Sequence, residues 1–399
     1  MDEQPAGGAP LDGVLVVSFE QAVSAPYCSR LLADLGARVI KVEIPGDGDF
    51  TRRYDDVVLG QSAHFTWLNR NKDSLALDLK AEAARVVVDR LIARADVVIQ
   101  NLAPGAAARL GIDAASVHAA NERAVAADIS GYGEGGPLAH RRAYDLLVQA
   151  EAGSCAITGE PGRPAKPGIP IADTGTGLHA AVAILAALHE RDRTGRGAAL
   201  SISMFDVMAD LVGWAINYTR YSGVDRPPNG MSSPMVAPYG AYPTRDGATV
   251  VLGTTNDAEW QRLATGILGR ADLAADPHLA TNDQRCSARA RLDGIIAGWT
   301  AERDLADILL LADEAGIGCA TLNSITAVLD HPQLAERGRW VEFGSPAGAV
   351  VGLAAVPTSS QWQLPLSGVP AVGEDTERVL DELDLDPSLR TDLLRARGA

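Results

Sequence analysis

VLVVSFEQAVSAPYCSRLLADLGARVIKVE, residues 14–43, decides how the chain folds. VLVVSF (14–19) is a short apolar run rich in β-formers and reads as a buried strand. APYCSRLLADLG (25–36) has helical spacing, and Gly36 closes it in the manner of a helix C-terminus. ARVIKVE (37–43) is a second strand. A strand, a helix and a strand in so few residues form a crossover unit, which pairs its two strands in parallel.

The alternation continues outward. AEAARVVVDRLIARA (81–95) is an amphipathic helix, DVVIQNL (96–102) a third strand and ERAVAADIS (122–130) a fourth. The expected class is α/β, with a parallel sheet covered on both faces. Such sheets bind ligands in the loops after the carboxyl ends of their strands. Four loops qualify: EQAVSAP (20–26), EIPGDGDFTR (43–52), NLAPGAAARLG (101–111) and SGYGEGGP (130–137).

Further on, DLLVQAEAGSCAITG (145–159) leads to PIADTGTGLHAA (170–181), whose helical pattern runs to ERDRTGRG and ends at Gly195. LSISMF (200–205) is a strand and DVMADLVGWAINYTRY (206–221) a helix. The Pro-, Gly- and Ser-rich stretch 222–238 marks a domain junction. Beyond it a strand (248–255) and helices (257–268, 292–300, 302–316) predict a smaller α+β domain. After 331–338 the pattern returns to strands and a last acidic helix from residue 377. The expected domains are a large one over 1–222, a small one over 223–330, and a segment 331–399 that rejoins the large one.

The 399 residues carry a formal charge of −16, which repels phosphate backbones and argues against nucleic-acid partners. Cys28, Cys155, Cys286 and Cys319 show no CxxC spacing and read as reduced, mostly buried thiols of a reducing compartment. MDEQPAGGAP (1–10) lacks the apolar core of a signal peptide. AAVAILAAL (180–188) is about half the length a bilayer crossing needs. The expected setting is the cytoplasm, with no membrane partner.

Several chemistries find little support. GYGEGG (131–136) has the outline of a dinucleotide fingerprint but opens no clear helix, so it reads as a turn shaping a pocket wall. The seven histidines show no ligand spacing, so no metal is expected. No GxSxG is present, which disfavours a serine hydrolase. Asp173 is left, and it has two readings. It is either the N-cap of the helix that follows, or a carboxylate nucleophile beside free N–H groups able to hold an anionic oxygen. Gly175 and Gly177 are poor choices for a first helical turn unless the backbone must come close to something, and Thr174 or Thr176 could take the cap.

Many segments, in order, resemble the class III CoA-transferases (the CaiB/BaiF type), relatives of formyl-CoA transferase, carnitine CoA-transferase and α-methylacyl-CoA racemase. They include PLDGVLVVSF (10–19), LLADLGARVIKVEIPGDGDFTR (31–52), WLNRNKDSLALDLK (67–80), ADVVIQNLAPGAAARLG (95–111) and RAYDLLVQAEAG (142–153). ITGEPGRPAKPGIPIADTGTGLHAA (157–181), RTGRG (193–197), APYGAYPTRDG (237–247), GIGCATLNSITAVLDHPQLAERG (316–338) and GEDT (373–376) complete the series.

The resemblance implies a Rossmann-like large domain, a smaller domain, and ring-like subunits interlocked as a homodimer, with the site between domains and including the partner chain. It implies no permanently bound cofactor; coenzyme A and its acyl thioesters are substrates, with a small carboxylic acid as co-substrate. It places the catalytic aspartate on Asp173, which attacks an acyl-CoA thioester and passes through anhydride and aspartyl-CoA intermediates. It places CoA contacts on Val23 and Ser24, on Leu77, Leu79 and Lys80, and on Asn101, Leu102 and Ala103. It adds Arg109, Arg142, Ala143, Tyr144 and Asp145. Where the formyl-CoA branch has a basic residue after the second strand, this chain has Ile44. The racemase branch needs a histidine where this chain has Tyr144, which favours CoA transfer over racemisation of an acyl-CoA. NGMSSPMVAPYG (229–240) is not the glycine run of oxalate-using relatives, and the expected acceptor is a C4–C5 dicarboxylate with succinyl-CoA as donor.

Overall fold

A computed structural model describes residues 8–396. Most of the N-terminal stretch read above for a signal peptide, residues 1–7, lies outside them. The chain divides into two units. One comprises residues up to Ser154, Lys166–Val224 and the chain from Arg337; the other comprises Cys155–Ala165 and Asp225–Glu336. The short hairpin near residue 160, which the sequence reading left with the large domain, thus clusters with the smaller unit.

The large unit is built on six parallel strands: β1 (Leu15–Phe19), β2 (Arg38–Glu43), β3 (Lys72–Ala76), β4 (Val97–Gln100), β5 (Val125–Ser130) and β6 (Ala199–Ser203). Their order, β3-β2-β1-β4-β5-β6, is the Rossmann order, with a reversal between β1 and β4. Register runs Val16 to Val39 on one side of β1 and Val16 to Val97 on the other. Successive residues of β1 serve opposite cores, because strand side chains alternate. Val17 and Phe19 pack with Val87, Leu91 and Ile92 of helix α1 (Glu82–Arg94). Val16 packs with Cys28 and Leu32 of the helix Ser24–Asp34, and with Ala180 and Ile184 of the long helix Ile171–Thr194. Gly195, at φ 76°, caps that long helix where the sequence placed its end.

Strand β3 was not foreseen. KDSLA begins with two charged residues and shows no apolar run. Tertiary contacts make it a strand: Lys72 is buried against Glu20, and Thr376 and Asp375 of the returning C-terminal segment accept the Ala76 and Ser74 N–H groups. The C-terminal segment thereby covers an edge that would otherwise present open backbone groups.

Other expectations need adjustment. The helix read over 206–221 is two, Met204–Leu211 and Gly213–Ser222, broken at Val212. Only Cys28 of the four free cysteines is buried; the other three are half-buried. The Ile171–Thr194 helix has 24 residues and is, by length and composition, apolar enough to cross a membrane, where the sequence suggested a run half that long. Its apolar side is occupied by the core: Ala180, Ala181, Ile184 and Leu188 are buried against the sheet and its neighbouring helix.

The smaller unit has a three-stranded antiparallel sheet, with Thr249–Gly253 between Tyr239–Pro243 and Gly318–Thr321. Helices cover it around Trp260, Leu263, Ile296 and Ile308, all fully buried.

Candidate active site

At the carboxyl ends of β1, β4 and β5 the large unit opens a cavity of about 910 Å³. Its walls are three of the four loops that the topology singled out, Gln21 to Ser24, Asn101 to Gly105 and Ser130 to Gly135; the fourth, 43–52, contributes only Phe50. GYGEGG is therefore a wall turn, and Gly131 is required where a Cβ would stand 2.1 Å from that of Ala143.

Asp173 faces this cavity from the first turn of the long helix. It is not the cap. The capping carboxylate is Asp145, whose Oδ1 accepts the N–H groups of Ala172 (3.0 Å) and Asp173 (3.3 Å). Asp145 is steadied in turn by the Gln149 amide, which donates to its Oδ2 at 2.6 Å. Neither threonine caps either: Thr174 and Thr176 donate their hydroxyls back to the carbonyls of Pro170 and Ala172. The free N–H groups expected beside Asp173 are also taken. Ile171 and Thr174 donate to Ile169 and Pro170, and Asp145 holds the two between them.

With the cap supplied from elsewhere, the Asp173 carboxyl is left to the cavity. Its pKa rises from 3.8 to about 7, through burial first and then the negative charge of Asp145, against a hydrogen bond from Ser24 that pulls it down. A carboxylate of that basicity is a stronger nucleophile than a solvated one and is still about half ionised at neutral pH. Replacing Asp145 with Asn keeps an acceptor for the two N–H groups and removes the charge. The Asp173 titration midpoint, followed by carboxyl ¹³C NMR, is expected to fall by roughly one pH unit yet stay above the ordinary value, because burial persists. An unchanged or raised midpoint would contradict this.

The glycines have a different reason from the one the sequence suggested. A Cβ on Gly177 would sit 2.6 Å from the Ser24 carbonyl oxygen and 3.1 Å from Tyr27 Cβ. On Gly175 it would meet only the tips of Leu211 and Val207, at 3.0 and 3.5 Å. The close approach is between two helices of the protein itself, and it brings Ser24 to Asp173.

The expected contact residues divide. Val23, Ser24, Asn101, Leu102, Ala103, Arg142, Ala143, Tyr144 and Asp145 all line the cavity. Asn101 has its amide occupied: Oδ1 accepts from Gln21 N (2.9 Å), and Nδ2 donates to Gln21 O (2.8 Å) and Ser24 Oγ (3.5 Å). Leu77, Leu79 and Lys80 do not line it. They follow β3 at the sheet's flank, where Leu77 is buried in the core, Leu79 packs against it and Lys80 is exposed. Arg109 is also outside the lining, exposed on the short helix Ala106–Leu110 beside Gly105.

Sequence reasoning missed Tyr54, His64 and Arg141, which line the cavity, and covered Phe50 only as part of the 43–52 loop. Tyr54 stacks edge-on to His64 at 5.6 Å, and its hydroxyl is held un-ionised by burial first and then by the charges of Asp49 and Asp173. A signal was present: Phe50, Tyr54, Phe65 and Trp67 fall within 18 positions of a chain that is 5% aromatic.

Fold and site together define an α/β enzyme that presents a desolvated carboxylate at its strand ends. The chain belongs to CoA-transferase family III, whose model matches residues 11–376. It is 34% identical over 400 residues to the succinate–glutarate CoA-transferase of Agrobacterium fabrum, covering 96% of this chain and 98% of that one. It is 32% identical over 383 residues to the succinyl-CoA–D-citramalate CoA-transferase of Chloroflexus aurantiacus, covering 94% of each. A CaiB/BaiF family protein from Brucella suis superposes with a TM-score of 0.83 at 34% identity, over 95% of this chain and 100% of that one.

Proposed function

We propose that this enzyme moves CoA from succinyl-CoA to a C4–C5 dicarboxylic acid, with Asp173 as the covalent carrier. The observation that carries the reading is the Asp173 carboxyl itself: free of the capping role, desolvated, raised to about 7 and sharing the cavity wall with Ser24. The ionised carboxylate attacks the thioester carbonyl, forming a mixed anhydride and releasing CoA thiolate. The thiolate attacks the aspartyl carbonyl, releasing the donor acid and leaving an aspartyl-CoA thioester. The acceptor carboxylate displaces the thiolate to form a second anhydride, and the thiolate then takes the acceptor acyl group and frees Asp173. Each intermediate stays as activated as a thioester, provided water is kept out. Arg142 in the cavity lining supplies positive charge toward an anionic substrate, with Arg141 beside it paired to Glu151, and the A. fabrum and C. aurantiacus relatives support a dicarboxylate acceptor.

On the same reading no cofactor is held permanently, and the chain works in the cytoplasm as an interlocked homodimer. Its free cysteines accord with a reducing compartment. Large apolar side chains left exposed on successive helices, among them Leu178, Val182, Trp214 and Tyr221, accord with a paired state.

The test is purified protein with succinyl-CoA against a panel of acids that includes ¹³C-labelled succinate, glutarate, mesaconate, itaconate and oxalate, read by mass spectrometry. Transfer to the C4–C5 acids is expected, with hydroxylamine trapping a single adduct at Asp173. Preference for oxalate would overturn the acceptor class, and an adduct at another residue would overturn the carrier. Deuterium exchange at the α-carbon of 2-methylacyl-CoA without transfer would favour the racemase reading, with His64 as the histidine at hand.

A further inference from the structure

Four ionisable side chains beneath the cavity wall are fully buried, and the mechanism uses none of them. Lys41 Nζ bonds Asp49 Oδ2 at 2.8 Å and Glu20 Oε1 at 3.3 Å. Lys72 Nζ bonds Glu20 Oε1 at 2.7 Å, the Pro26 carbonyl at 3.0 Å and Asn69 Oδ1 at 3.0 Å. Glu20 Oε2 also accepts the hydroxyls of Ser18 and Ser29. The exposure of all four charged side chains is 0%. None of them lines the cavity.

Burying two cations and two anions gives no clear gain in stability over apolar side chains of the same volume. What the cluster does is grip one turn of backbone. Glu20 stands at its entry, directly after β1. Asp49 Oδ1 accepts the Ala22 N–H at 3.4 Å in its middle. Lys72 holds the Pro26 carbonyl at its exit. Ala22 sits at φ 65°, a left-handed conformation that a residue with a Cβ enters at a penalty and keeps only where its surroundings impose it. Ser24 lies between the gripped points and lines the same cavity as Asp173, and its carbonyl lies against Gly177 of the Asp173 helix, which keeps its hydroxyl close enough to lower the pKa of that carboxyl.

We propose that the Glu20–Lys41–Lys72–Asp49 cluster is a set of positioning residues for the reaction: it locks the turn after β1 so that Ser24 stays on Asp173. This rests on Asp173 being the covalent carrier. The cluster touches no substrate and acts only through the turn.

The experiment is a double-mutant cycle on the full chain. Lys72→Met and Asp49→Asn are each combined with Ser24→Ala. Adduct formation at Asp173 is followed in a single turnover with succinyl-CoA, and kcat and KM are followed in steady state. Ser24→Ala is expected to slow adduct formation about tenfold or more, since the oriented hydrogen bond is lost. Lys72→Met is expected to do the same with KM for succinyl-CoA changed less than threefold, and to move the acid limb of the pH–rate profile upward, because the contact that pulls the Asp173 pKa down is loosened. In the Ser24→Ala background Lys72→Met should add almost nothing. Fold-losses that multiply, or a Ser24→Ala enzyme with wild-type rates, overturn the proposal. If Lys72→Met does not fold, Asp49→Asn, which keeps the volume, carries the same cycle with the same outcomes. Failure of the carrier reading is separable: there, the Asp173→Ala enzyme would still turn over and would be trapped as an adduct at another residue.

Discussion

Asp173→Asn is expected to lower CoA transfer by about 10⁴-fold or more and, above neutral pH, to make the protein more stable. The loss of rate follows from chemistry: an amide oxygen cannot open a thioester to give an anhydride. The gain in stability follows from the raised pKa. In the folded chain Asp173 holds its proton up to about pH 7, whereas the ordinary carboxyl releases it at 3.8. Between these values the folded state binds more protons than the unfolded one, so stability falls as pH rises through the window. At about 1.4 kcal/mol per pH unit, the penalty above pH 7 is at most roughly 4 kcal/mol, and with the partial solvent access of the site about 2 kcal/mol. Asn has no such ionisation. Denaturant midpoints of wild type and variant should therefore coincide near pH 3.5 and separate by pH 8, with the variant the more stable. A variant less stable than wild type at pH 8 would show that the carboxylate is not strained by its surroundings.

The second large effect is expected at Gly177. Alanine favours a helix over glycine by about 1 kcal/mol, so intrinsic propensity alone makes Gly177→Ala stabilising. The packing reverses the sign. The new methyl carbon would lie 2.6 Å from the Ser24 carbonyl oxygen, a backbone atom that yields only if the Ser24–Asp34 helix moves. A net destabilisation of about 2–3 kcal/mol is expected. Because the displaced residue is Ser24, adduct formation at Asp173 should fall more than tenfold as well. Gly175→Ala is the internal control. Its methyl meets the flexible end of Leu211 at 3.0 Å, and the change in stability should stay within about 1 kcal/mol. Thermal unfolding and single-turnover rates decide the matter; a Gly175 variant more damaged than the Gly177 variant would refute this packing account.

Much of the protein was legible in the chain because burial leaves a period. The runs at 14–19, 37–43 and 96–102 are apolar throughout, since both faces of a parallel strand are covered, and they announced β1, β2 and β4. The loops after them were marked by the same alternation; those after β1 and β4 form cavity walls, and the one after β2 contributes Phe50. Ordered matches along the chain pointed to the family, and Asp173 stood out as a carboxylate in an odd setting.

Tertiary structure alone decided the rest, because each remaining feature depends on a partner far away in sequence. KDSLA carries no apolar signal and becomes the edge strand β3 only because Lys72 finds Glu20, 52 positions earlier, and the C-terminal segment closes its outer side. The cap of the long helix comes from Asp145, 28 positions before Asp173, so no local reading of IADTGTG could tell cap from nucleophile. The glycines answer to Ser24 and Tyr27 of another helix rather than to a ligand. Local sequence encodes which face of a segment avoids water. Which charge stands beside Asp173, and how far it is removed from solvent, is fixed only when loops from distant parts of the chain meet at the carboxyl ends of the strands.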